Sequence, residues 1–274
     1  MKKKVQIFVA CHKPSSVYKD DVYVPIHVGR TVSNVSEGML NMIGDDTGEN
    51  ISSKNPFFCE LTAQYWIWKN IKDTEYVGLC HYRRYFETKI TSQNVDAILG
   101  NNNDVLQISP RYEKISIGTR LKLATCQEDF FIFYKCLLKL YPEYKKDADY
   151  FLSNNVCIPY NMFLMKKNNF DCFAEWQFSI LFEMEKYVKL SSYTRMRRVY
   201  GYISEAMLAI YCKHNNLKVT YRDVVSMIGE QPKKIKFRRI KEFIRCLRFK
   251  ILGQETYFSD PGVEVGFEMD GIKI

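Results

Sequence analysis

Residues 76–86 read YVGLCHYRRYF, an apolar run through Val77, Leu79 and Cys80 that stops at His81, Tyr82, Arg83 and Arg84. A short, continuously apolar run of this kind is the pattern of a strand buried on both faces of a parallel sheet. KVQIFVACH (4–12) has the same form and also ends in polar residues, Cys11-His12-Lys13. Between the two lies NPFFCELTAQYWIWKNIKD (55–73), which reads as a helix with Asn55 as its cap and Pro56 in its first turn. Strand, helix, strand in that order predicts an α/β fold with a mostly parallel sheet and helices on both faces. Such sheets bind ligands at the carboxyl ends of their strands, where both polar clusters fall.

The remaining chain continues the alternation. VYVPIHVGR (22–30) and DVLQISP (104–110) read as extended segments, and DDTGENISSKN (45–55) as a polar loop. ATCQEDFFIFYKCLLKLYPEY (124–144) is an amphipathic helix that Pro142 interrupts or ends. CIPYNMFLMKK (157–167) reads as a strand, with Tyr160 and Asn161 as a third polar cluster, and FDCFAEWQFSILFEMEKYVKL (170–190) as a helix. RRVYGYISEAMLAIYCKHN (197–215) is a loop entering a helix, and LKVTYRDV (217–224) a late strand.

At 274 residues, 46% apolar and 26% charged, the chain has the composition of a globular protein with a substantial core. No apolar run is long enough to span a bilayer. The first apolar stretch is short and has no small-residue cleavage site, so MKKKVQIFVACHKP reads as a first strand rather than a signal peptide. Nine cysteines stand singly, with no CxxC spacing, as expected of reduced core thiols and not of metal ligands. The net charge of +9 is concentrated: nine Lys/Arg and one Glu lie between Lys233 and Lys250.

Taken in order, DDTGENISSKN, ELTAQYWIWKN, YVGLCHYRRYF, YNMFLMKK, EWQFSILFEME and GYISEAML resemble a bacterial family, long labelled an uncharacterised domain, from capsular, exopolysaccharide and O-antigen gene clusters. ELTxxYWxWKN followed by GLCHYRRYF is a specific combination, and the match runs from about residue 5 to about 225. The resemblance implies a nucleotide-sugar glycosyltransferase with a Rossmann-type, GT-A-like sheet, related to galactofuranosyltransferases. One stretch departs from the pattern. Where the family carries a histidine ahead of an Asp-Leu pair, this chain has TCQEDFF; Asp129 remains and the histidine does not.

A nucleotide-sugar donor presents two phosphates, and the leaving group gains negative charge as the glycosidic bond breaks. Guanidinium forks suit phosphate oxygens without a metal. His81, Arg83 and Arg84 are therefore the expected diphosphate site, with His81 also able to donate to or protonate the leaving phosphate. The alternative is that Arg83 and Arg84 pair with carboxylates such as Glu60 or Glu128. His12, Asp45, Asp46, Asn50, Glu60, Lys69, Tyr160 and Asn161 are the candidates for binding nucleotide and sugar. No cofactor is required in this reading; if Mg or Mn is used, Asp45 and Asp46 are the expected ligands. Trp66 and Trp68 read as core before sugar platforms. An inverting transferase needs a carboxylate base. Asp129 is the expected base and Glu205 a donor-sugar contact, although Ser204 or Glu205 equally suits a helix cap.

QPKKIKFRRIKEFIRCLRFKILG (231–253) repeats apolar residues at helical spacing against Lys and Arg. Residues 233–252 so read as a helix lying on an anionic membrane surface, with a core-packing helix as the alternative. No nucleic-acid recognition motif is present. The expected organisation is a transferase domain over 1–230 and the basic helix with its tail over 231–274. The expected activity is transfer of a hexosyl unit, galactofuranose or galactose, from a UDP-sugar to a lipid-linked cell-surface glycan. The expected location is cytoplasmic, at the inner face of the bacterial membrane. The competing class is a catalytically inactive scaffold of a polysaccharide assembly complex, which the TCQEDFF departure keeps open.

Overall fold

The computed structural model describes residues 3–34, 37–100, 102–225, 238–252 and 256–274. Lys233, Lys234 and Lys236 of the basic segment lie outside the described residues. The chain divides into two compact units, one drawn from Met1–Ser109, Ile158–Glu175 and Asn215–Lys234, the other from Pro110–Cys157, Trp176–His214 and Ile235–Ile274. This division differs from the expected boundary at residue 230. The C-terminal residues belong to the second unit because Phe258 lies against the Tyr134 ring at 4.6 Å and Val263 and Phe267 are buried there.

The first unit carries the expected α/β fold. Its strands are β1 (Lys3–Cys11), β2 (Tyr23–His27), β3 (Ile43–Gly44), β4 (Thr74–His81), β5 (Tyr85–Phe86) and β6 (Val105–Ile108). The second unit supplies the short pair β7 (Arg111–Tyr112) and β8 (Val156–Cys157), after which β9 (Phe163–Lys166), β10 (Val219–Arg222) and β11 (Val224–Val225) return to the first. Seven strands form one sheet in the order β10-β6-β9-β4-β1-β2-β3. All neighbours are parallel except β9, which runs antiparallel between β4 and β6. The central strands are those that read as continuous apolar runs: from Val5 to Cys11 every residue of β1 is buried.

Gly78 shows why β4 carries a glycine. A Cβ there would sit 2.7 Å from the Phe163 carbonyl oxygen, so only glycine lets β9 approach. Six of the nine cysteines are buried as thiols, as packing in a core expects. Burial pushes the Cys11 thiol up to about 12.

The helix expected after Asn55 is two helices, α1 (Asn55–Phe58) and α2 (Leu61–Asn70), followed later by α3 (Val95–Leu99). The break is at Cys59, whose φ is 53°. Asn55 is not the cap. It is the first helical residue, and its amide donates to the Cys59 carbonyl at 2.7 Å, which holds the kink. Trp66 is core, as expected. Its ring meets Phe8 edge-on and its Nε1–H donates to the Thr47 carbonyl at 2.9 Å.

The second unit is helical: α4 (Ile117–Ala124), α5 (Gln127–Leu140), α6 (Lys145–Ser153), α7 (Lys167–Met184, begun in the first unit), α8 (Val199–His214), α9 (Arg238–Leu252) and α10 (Pro261–Met269). The helix expected over 124–144 is α5 alone, since Cys126 starts it and Tyr141-Pro142 closes it. Among the described residues no helix is long and apolar enough to cross a membrane.

Candidate functional site

The two edges of the sheet differ in their ion pairing. Where β1 and β4 begin, Lys4 is paired with Glu75 at 2.9 Å and Asp96 at 3.0 Å. Where β4 ends, the charges are the guanidiniums of Arg83 and Arg84. His81 closes β4, and a tight turn through Tyr82 and Arg83 returns the chain to β5, with Arg84 N–H donating to the His81 carbonyl at 2.9 Å. The turn buries Tyr82 and leaves Arg83 and Arg84 exposed. Among the described residues no carboxylate of the first unit lies within salt-bridge distance of either guanidinium, and Glu60, one of the expected partners, accepts from Asn161 instead. Each guanidinium lies over a ring: Arg83 over Tyr82 at 5.0 Å and Arg84 over Tyr160 at 4.1 Å. His12, one residue beyond β1, meets the other side of the cluster, its ring edge-on to Tyr82 at 5.2 Å.

The segment expected to be one strand over 157–167 is broken before β9. Tyr160 and Asn161 have φ of 81° and 51°, two successive non-glycine residues in the left-handed region. Asn tolerates that region, whereas for Tyr it costs on the order of 1–3 kcal/mol. Two hydrogen bonds hold this turn. The Tyr160 carbonyl accepts from His81 Nε2 at 2.6 Å, and Asn161 Nδ2 donates to Glu60 Oε1 at 2.7 Å. A carbonyl oxygen only accepts, so His81 must carry its proton on Nε2. That leaves Nδ1 as the ring nitrogen not engaged with the Tyr160 carbonyl.

Seven of the expected residues therefore converge in the first unit: His12, Glu60, His81, Arg83, Arg84, Tyr160 and Asn161. Tyr82, which the sequence reading passed over, joins them as the ring between His12 and Arg83. Its position inside the HYRR motif was the available signal.

The loop over 45–55 is anchored at Asp45 and Ser52, both fully buried, while 47–50 are exposed. Asp45 is fully buried and accepts from Gly29 N–H at 2.8 Å, Arg30 N–H at 3.1 Å and Ser52 Oγ–H at 2.5 Å. Three donors occupy that carboxylate, so its role is to fix the loop to the end of β2. Asp46 pairs with Arg30 at 3.7 Å but keeps its buried Oδ1 without a partner. Nearby, His27 Nδ1 is likewise buried and unpartnered, and burial holds that imidazole below its ordinary range. Asn50 is spent within the loop, donating to the Asp46 and Gly48 carbonyls and accepting from Ser52 N–H. Lys69 pairs with Glu49 at 3.3 Å in the last turn of α2, the end that leads into the start of β4 and so away from His81. Among the described residues no three His, Cys, Asp or Glu side chains converge as metal ligands.

Asp129 and Glu205 lie in the second unit, and each has a local partner. Asp129 is the third residue of α5, buried, and its Oδ2 accepts from Cys126 N–H at 3.3 Å as half of a capping box. Loss of water pushes its carboxyl above the ordinary range. Glu205 is not at a helix start, since α8 begins at Val199. It takes both Nη groups of Arg120 at 3.3 Å. Ser204 does not cap either; its hydroxyl donates back to the Gly201 carbonyl within the helix.

Residues 6–216 match the family model described as a domain of unknown function, DUF4422. Among solved structures, one described as the apo structure of the bifunctional glycosyltransferase WbbM is similar, with a TM-score of 0.73 and 29% sequence identity. The similarity covers 84% of this chain and 46% of that one, so the chain spans about half the length of its structural relative. No curated protein matches. The chain belongs to the DUF4422 family.

Proposed function

We infer that this DUF4422 protein is a glycosyltransferase that takes a hexosyl unit from a UDP-sugar. Galactofuranose or galactose is the expected sugar, and the acceptor a lipid-linked cell-surface glycan at the inner face of the bacterial membrane. The observation that carries the reading is the pair of exposed guanidiniums, Arg83 and Arg84, which among the described residues have no first-unit carboxylate within salt-bridge distance and stand at the end of β4 beside His81. The likeness to a glycosyltransferase over most of this chain supports it.

In this chemistry the bond between the sugar's anomeric carbon and the diphosphate oxygen breaks, and the anomeric carbon bonds to the acceptor hydroxyl oxygen. The diphosphate departs with the bonding electrons, and the acceptor proton passes to solvent water. Arg83 and Arg84 neutralise the charge that develops on it, a task a divalent cation performs in many such enzymes. His81, its Nε2–H tied to the Tyr160 carbonyl, donates to the same group from Nδ1 when its ring carries both protons. Glu60 and Asn161 hold the turn, and Glu60 offers its second carboxylate oxygen to sugar hydroxyls, while His12 suits base or ribose. Asp129 and Glu205, held by their own partners, are given no step.

The test is thermal stabilisation by UDP, GDP, CMP and dTDP sugars, with EDTA and with Mg or Mn, followed by donor turnover. Stabilisation by a UDP-sugar that survives EDTA, with turnover, supports the reading. Stabilisation that EDTA abolishes keeps the transferase but gives the phosphates to a metal. Binding without hydrolysis or transfer makes the chain a scaffold, and no binding of any nucleotide overturns the proposal.

A further inference from the structure

In a helix packed on its own domain, the apolar stripe faces inward and the charges face water. In α9 this is reversed. Glu242, Cys246 and Phe249, at spacings of four and three residues, form the half-buried face. The apolar stripe of Ile240, Phe243, Ile244, Leu247 and Ile251 points the other way, 48–71% exposed. Beside that stripe, Lys114 from the loop after β7 joins Lys241, Arg245 and Arg248 around an open cavity of about 230 Å³, with Ile244 as its apolar wall. Arg245 is positioned by donating to the Tyr112 carbonyl at 3.3 Å. Among the described residues none of the four cations has a carboxylate within salt-bridge distance.

We propose that α9 and Lys114 form a docking surface for an anionic lipid bilayer. The apolar stripe enters the interface, and Lys114, Lys241, Arg245 and Arg248 hold a lipid headgroup phosphate. Charge complementarity selects this occupant, since four unpaired cations ring one edge of an exposed apolar stripe. A nucleic acid would match the cations and leave Phe243 and Ile251 in water. A protein partner would match the stripe and leave the cavity's charges unanswered. Lys114, outside the helix, makes this a built site rather than a generic basic helix. The inference stands apart from the donor-site reading, so failure of either leaves the other to its own test.

The experiment is sedimentation of the full chain with vesicles of phosphatidylcholine alone and of phosphatidylcholine mixed with phosphatidylglycerol. Binding to the anionic vesicles that weakens with salt is expected. Replacing Lys114, Lys241 and Arg248 together by Ala should weaken it on the order of 100-fold, at roughly fivefold per cation. Phe243→Ser with Leu247→Ser should abolish it with the melting temperature unchanged. Lys114→Ala alone should cost about fivefold; no effect from it overturns the phosphate cavity. Equal binding to neutral vesicles, binding to random RNA but to no vesicle, or a dimer that Phe243→Ser dissociates with no vesicle binding, overturns the proposal.

Discussion

His81 Nε2 lies 2.6 Å from the carbonyl oxygen of Tyr160, a residue whose own backbone is in the left-handed region. One bond therefore joins the end of β4 to the turn before β9. It fixes the imidazole tautomer and helps hold a conformation that Tyr does not favour by itself. Backbone strain of this kind clusters at working sites, and here it sits beneath the cations.

His81→Ala should lower turnover about 100-fold, the range for loss of a positioned acid or base. His81→Gln separates two roles, because a glutamine amide still donates to the Tyr160 carbonyl but transfers no proton near neutrality. If His81 only holds the turn, Gln restores the rate. If Nδ1 exchanges a proton with the leaving phosphate, Gln stays slow and the imidazole limb of the pH–rate profile disappears. Initial rates from pH 5 to 9 decide.

Arg83→Ala and Arg84→Ala should each weaken donor binding by about 10- to 100-fold, the range for hydrogen bonds between charged partners. Lysine should restore part of that at most, since a single ammonium does not reproduce the fork that meets two phosphate oxygens. Neither change should alter the melting temperature, because both side chains are exposed. Calorimetric titration with UDP measures the loss. Unchanged affinity in both Ala variants removes the guanidiniums from the site.

The strands β1 and β4 were legible because a strand buried on both faces declares itself by composition alone, and the clusters at their ends followed from topology. The breaks were not legible. Cys59 and Tyr160 adopt positive φ without glycine, imposed by bonds from Asn55 and His81 that a local pattern does not reveal. The burial of Asp45 was not legible for a related reason. Whether Asp45 faces water depends on backbone N–H groups up to 16 residues earlier, and the sequence shows only a polar, turn-rich stretch. The inverted face of α9 was half legible: the stripe was visible, but which side packs was not.

Asp45→Asn tests that structural role. The carboxylate is the common acceptor for Gly29 N–H, Arg30 N–H and Ser52 Oγ–H, and an amide would turn an NH2 group towards one of these donors. A loss of about 1–3 kcal/mol in unfolding free energy is expected, the cost of leaving a buried donor unmade. Urea unfolding measures it. The loss should be the same with EDTA and with Mg or Mn; a metal-dependent difference would return Asp45 to the role of ligand.

Asp129→Asn distinguishes a helix cap from a general base. Desolvation raises the Asp129 carboxyl above its ordinary value, so the folded chain keeps this proton to a higher pH than the unfolded chain does. Between those two values folding takes up a proton, and stability falls as pH rises through the window. At neutral pH the wild type therefore holds a charged group that its surroundings disfavour. Asparagine removes the charge and keeps a side-chain oxygen for Cys126 N–H, so the cap persists. The variant should melt at the same temperature as wild type or higher at pH 7, lose the wild-type slope across the acid window, and turn over within about twofold of wild type. Thermal melts from pH 3 to 7 beside initial rates give both readings. A general base would show the same melts but turnover down by at least about 100-fold. In that case the acceptor proton goes to Asp129 and the capping bond is incidental to it.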